Sequence, residues 1–204
     1  MKEQPFREDG HNGFIIDRVR DNSVNGRYVE KFSYQYTLTT PFGEQQFFDR
    51  TEYRQLEFNL FTTFPQVEFL DPPRSTQGFL SKLGELNKFS VAVVPLATDL
   101  LRWVDSFQKV LEVTAVIDSL QISGFEPEPG VTARISIGGR RDVRDALKRL
   151  TKGKPFDLER VQVRIPYEGR MTPLHLIHTG AVKLEDDVFD DLLSPLRQSI
   201  AIYE

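Results

Sequence analysis

Residues 27–40, RYVEKFSYQYTLTT, alternate bulky apolar and polar side chains almost one by one. A period of two belongs to a pleated strand, which sets Phe32, Tyr34, Tyr36 and Leu38 on one side and Ser33, Gln35, Thr37 and Thr39 on the other. Pro41-Phe42-Gly43 then turns the chain, and EQQFFDR begins a return strand, as in a hairpin. Leu56, Phe58, Leu60 and Phe64 carry the alternation on, opposite Glu57, Asn59 and Thr63. With GFIIDRVR (13–20) as a preceding strand, the first 70 residues read as an antiparallel sheet with one wet face. The Phe32–Leu38 face is expected to be buried, in this chain or against another copy, because a one-residue slip would expose all four side chains. The polar residues 1–12 read as a disordered tail.

Asp71-Pro72-Pro73 ends that pattern. Ser75 or Thr76 can cap a helix whose stripe is Phe79, Leu80, Leu83 and Leu86. FSVAVVPL (89–96) is short and rich in β-branched residues, which predicts a buried strand ending at Pro95. Thr98-Asp99 starts a second helix with Leu100, Leu101, Val104 and Phe107 on one stripe and Trp103 beside it. Then come strands over VLEVTAVIDSLQISGF and GVTARISI, a helix at 140–152, strands over FDLERVQVRI and TPLHLIHTGAVKL, and a helix at about 187–199. The predicted class is α+β, antiparallel sheet with helices on one face, its C-terminal half ordered ββα-ββα. The expected division is a tail at 1–12, a first part at 13–108 and a second at 109–204, packed together as one compact unit with the boundary near Phe107–Lys109.

The 204 residues contain no cysteine. That excludes disulfides, thiolate metal sites and a cysteine nucleophile, and fits a reducing, cytoplasmic setting. The polar start MKEQPFREDGHNG predicts no signal peptide, and no apolar run is long enough to span a membrane. The net charge of -4 is unevenly spread. Residues 138–172 hold ten Lys/Arg against five Asp/Glu, and 173–204 hold two against six. One basic segment thus lies among acidic ones.

Within it, ISIGGRRDVRDALKRLTKGK (135–154) poses the sharpest functional question. Val143, Ala146, Leu147 and Leu150 make a core-facing stripe, Arg141, Asp145 and Arg149 an i, i+4 ladder, and Gly153 with Pro155 a stop. A helix starting beside Gly139 would put Arg140 and Arg141 at its positive end, a mismatch that a bound anion would relieve. The candidate anion, nucleic-acid or partner site is therefore Gly138, Gly139, Arg140, Arg141, Arg144, Lys152, Lys154, Arg160 and Arg164, with the arginines of strand 156–166 continuing the patch. The competing reading is a solvated helix with a glycine cap.

Other chemistry is weaker. His175 and His178 are three apart on a strand and fall on opposite faces, one buried and one exposed, so a shared metal is not expected. Asp186/Asp190 and Asp187/Asp191 lie at i, i+4, but acidic residues suit a helix start without any cation. Glu126 and Glu128 alternate with prolines in a stiff loop. No nucleophile-elbow or serine–lysine motif occurs. No cofactor and no metal are expected. The leading expectation is a non-catalytic binding or accessory subunit of a larger assembly, contacting a protein partner, another copy or a nucleic-acid backbone through residues 138–170. The alternative is an enzyme on a phosphorylated or nucleic-acid substrate with the 138–141 turn at the phosphate.

Overall fold

A computed structural model describes residues 4–90 and 92–200. The class is α+β as expected, with two antiparallel sheets and helices packed on one face of each. The chain divides into two compact units between Val94 and Pro95.

The first unit is a meander of β1 (Asn12–Val19), β2 (Ser23–Thr39), β3 (Gln45–Phe61) and β4 (Val67–Leu70), followed by α1 (Gln77–Leu86). The α1 stripe buries Phe79 and Leu83 against Phe14, Tyr28, Leu56 and Phe58. Phe79 is the hub, with ring centroids 5.0 Å from Phe58 and 5.2 Å from Phe69. Strand β2 can lie this close because residue 26 is glycine: a Cβ there would sit 2.5 Å from the Ile15 carbonyl oxygen. Of the expected disordered tail, residues 4–6 run along β1, residues 7–10 turn back, and Asn12 already belongs to β1. The Phe6 N–H donates to the Phe14 carbonyl, the Phe14 N–H to Gln4, and the Phe6 ring packs edge-on against Tyr53.

The alternating segment is a strand in the expected register, but its aromatic face is not buried within this chain. β1 pairs with β2 only as far as Glu30, and β4 with β3 only over Glu57–Leu60. Past these limits β2 and β3 continue as a bare two-stranded arm, with Tyr34 42%, Tyr36 49% and Leu38 56% exposed. A strand's alternation reports which side chains share a face, and whether that face is covered depends on how far the neighbouring elements reach.

The described residues of FSVAVVPL do not form a strand. Residues 92–97 lack regular structure, and Phe89 and Val94 are each 76% exposed. Residue 91 lies outside the described residues. β-Branched residues favour a strand only where a partner strand exists, and residues 92–97 pair with none.

The second unit holds α2 (Leu100–Leu111), β5 (Val116–Glu128), β6 (Val131–Gly138), α3 (Arg144–Thr151), β7 (Asp157–Tyr167), β8 (Arg170–Ile177), β9 (Val182–Lys183) and α4 (Phe189–Ser199), with a 3-10 turn at Asp186–Val188 leading into α4. Its sheet order is β6-β5-β7-β8-β9. Leu100, Trp103, Val104 and Phe107 of α2, Leu147 of α3 and Leu192 and Leu196 of α4 share one core with Ile117, Val161, Val163 and Leu174. The boundary therefore falls ahead of α2 and not at 107–109, because the apolar stripe of α2 is spent in the second core. Asp99 caps α2 by accepting from the Arg102 N–H at 3.1 Å. No helix among the described residues is long and apolar enough to cross a membrane.

Candidate functional site

The 138–154 segment is a loop, a short helix and a loop. Gly138 ends β6 opposite Ser119, and the Gly139 N–H donates to the Asp118 carbonyl at 2.8 Å. The Val143 N–H donates to the Ile117 carbonyl, also at 2.8 Å. α3 begins only at Arg144, so the expected start at 140 is corrected: residues 139–143 spend their turn bonding back to β5. Gly139 is not at a helix N-terminus, and Arg140 and Arg141 do not oppose a helix dipole.

Asp142 organises the turn. Its carboxylate accepts from the Ile117 N–H at 3.2 Å, from the Arg144 N–H at 3.0 Å and from the Arg144 guanidinium at 2.8 Å. Burial acts to raise its pKa, but these hydrogen bonds and the Arg144 charge outweigh that and hold it below the ordinary carboxylate range. Arg144 also reaches Asp105 of α2 at 3.3 Å, so it is a tie between two helices and not a free cation.

The other named cations divide in the same way. Lys154 donates to the Glu126 and Pro127 carbonyls, and Arg164 lies 2.7 Å from Asp118. Arg140, Arg141, Lys152 and Arg160 are exposed and make no side-chain hydrogen bond or ion pair among the described residues. The same is true of Lys148 and Arg149, which sequence reasoning did not include. Their signal was present: both flank Leu147 on the side of α3 turned from the core.

The basic residues do not make one continuous patch. Val161, Val163 and Ile165 are buried under the helices, so Arg160 and Arg164 project from the open face of the sheet. α3 packs on the opposite face through Val143 and Leu147. The free cations of the 138–154 segment thus form a ridge on the helix side, with Arg160 across the sheet from them.

The open face carries its own polar cluster. Glu159 accepts from Arg134 and from Gln121, the latter at 2.9 Å. Hydrogen bonds from Arg134 and then Ser123 hold its carboxyl below the usual range. The histidines are both exposed, against the expectation of one buried. His175 pairs with Gln162 and Lys183 across the open face, whereas His178 lies past the end of β8, where its Nδ1 sits 3.1 Å from the Glu159 carbonyl. A strand's alternation has no hold on a residue that the strand does not include.

Asp187 pairs with Arg170, and Asp191 accepts from the Tyr167 hydroxyl at 2.8 Å. Residues 186–188 form a 3-10 turn, and α4 begins only at Phe189. No three His, Asp or Glu side chains among the described residues converge as a metal site requires. Neither protein-family models nor curated proteins match the chain.

Proposed function

We propose that this chain is a binding subunit whose α3 ridge, Arg140, Arg141, Lys148, Arg149 and Lys152, docks on an anionic macromolecular surface. The observation that carries the reading is the division of cations within 138–154. Arg144 and Lys154 are bonded inside the fold, whereas the other five are held on a short, well-anchored helix and its flanks without an internal anion. Seven Lys/Arg face two Asp over residues 140–154, and Asp142 is occupied by Arg144. Cations presented this way bind phosphate or carboxylate arrays mainly by charge, with strong salt dependence. The segment has no aromatic side chain to stack a base, so contact with nucleic acid would be to its backbone. The cysteine-free composition fits a cytoplasmic setting. The enzyme alternative has less support, since the Gly139 N–H that would hold a phosphate is bonded to Asp118.

The test is binding of the parent and of the fourfold variant Arg140→Ala, Arg141→Ala, Lys148→Ala, Arg149→Ala to duplex nucleic acid and to polyglutamate across a salt series. Loss of the four contacts should lower the log–log salt slope on the preferred polyanion by about 3–4 while the thermal transition stays in place. A variant that binds both polyanions as the parent does overturns the reading.

A further inference from the structure

On a surface remote in sequence from the α3 ridge, the β2–β3 arm presents an uncovered aromatic face. Phe32, Tyr34, Tyr36 and Leu38 share it with Phe48, which stands directly opposite Tyr36. The rings lie against one another along the strand: Phe32 and Tyr34 are stacked at 6.3 Å, and Tyr34 and Tyr36 are 6.4 Å apart. Arg54 lies over Phe32 at 4.9 Å. This face has the same parity as Tyr28, so it continues the side of the sheet that α1 covers, beyond the reach of that helix. A two-stranded ribbon is marginally stable in water by itself, and one with an apolar face gains most from being covered.

We propose that this face is the contact between two copies of the chain, packed arm on arm about a two-fold axis. Area is the first argument. Tyr34, Tyr36, Leu38 and Phe48 are each about half exposed. Together they offer roughly 400 Å² of apolar surface, close to the apolar share of the ~800 Å² that each partner of a standard interface buries. Charge is the second. An isologous contact must complement itself, and the aromatic face itself carries both signs, Arg50 opposite Tyr34 and Glu52 opposite Phe32, paired with each other at 2.7 Å. Residues 30–54 hold Lys31, Arg50 and Arg54 against Glu30, Glu44, Asp49 and Glu52, so the arm has no excess charge to attract a polyanion.

The chain's lack of cysteine permits a clean test. Tyr36→Cys places a thiol on the proposed contact, and Thr37→Cys places one on the opposite face of the same strand. Light scattering and sedimentation of the parent should give twice the chain mass, and the pair Tyr36→Ser with Phe48→Ser should give the single mass with the far-UV dichroism kept. Mild oxidation should yield covalent dimers from Tyr36→Cys and few from Thr37→Cys. A parent that is monomeric at every accessible concentration overturns the proposal. So does a dimer that survives the double serine change, or equal cross-linking from the two faces.

Discussion

Asp142 decides the shape of the 139–144 turn. Two backbone N–H groups and one guanidinium converge on its carboxylate, so the turn closes on β5 before any helix begins. Asp142→Ala should therefore cost about 1–3 kcal/mol, read as a lower urea midpoint at unchanged slope, because it leaves the Ile117 and Arg144 N–H groups without partners. The pH dependence has a fixed sign. A carboxyl held below its unfolded value contributes stability that is full above that value and is lost as pH falls through the folded one. The parent should lose this contribution on acidification below about pH 4, and Asp142→Ala should not. Equal acid sensitivity of the two proteins would show that Asp142 is not the group responsible.

At the scale of elements, α4 shows how a helix with an internal proline is finished. The Trp103 indole N–H, wholly buried, reaches the Leu196 carbonyl at 3.3 Å and the Ser199 hydroxyl at 3.2 Å, and Ser199 itself donates to Leu196 at 3.0 Å. The last turn of α4 is thereby tied to α2. Trp103→Phe removes the donor and leaves a gap, and should destabilise the second unit by about 2–4 kcal/mol. Ser199→Ala should cost less, and the double variant should cost less than the sum, since both side chains serve one carbonyl. Strict additivity in that cycle would separate them. The α2 stripe, the α1 stripe and the asparagine-to-glutamate ladder Asn25–Asn59–Glu68 across β2, β3 and β4 obey the same logic of shared faces.

For the whole molecule, the two units meet in sequence at an exposed apolar connection. Phe89 and Val94 stand out in solvent, and residues 92–97 have no regular structure. Exposed segments without backbone pairing are where proteases cut first. Brief digestion with chymotrypsin or thermolysin should cleave within residues 89–97 and release two fragments, separated near Val94–Pro95, that keep their strand and helix dichroism. First cuts inside β5 to β8 would contradict the division into units.

Periodicity alone specified most of the elements. The two-residue alternation of 27–40, the stripes at Phe79/Leu83 and Leu100/Val104/Phe107, and the ββα-ββα order are local patterns, written into adjacent residues and readable there. Four things were not local. FSVAVVPL has strand composition but no partner strand among the described residues, and hydrogen-bond partners come from elsewhere in the chain. Arg140 and Arg141 escape the helix because carbonyls of Ile117 and Asp118, some twenty residues earlier, claim the N–H groups of Val143 and Gly139. Arg144, Lys154 and Arg164 look like free cations in sequence, but folding brings carboxylates to the two arginines and backbone carbonyls to Lys154. The aromatic face of β2 was correctly grouped, yet its exposure depends on where β1, β4 and α1 stop. Side-chain pattern follows from backbone geometry within a strand or helix, whereas covering and pairing follow from distances between segments that only the tertiary structure sets.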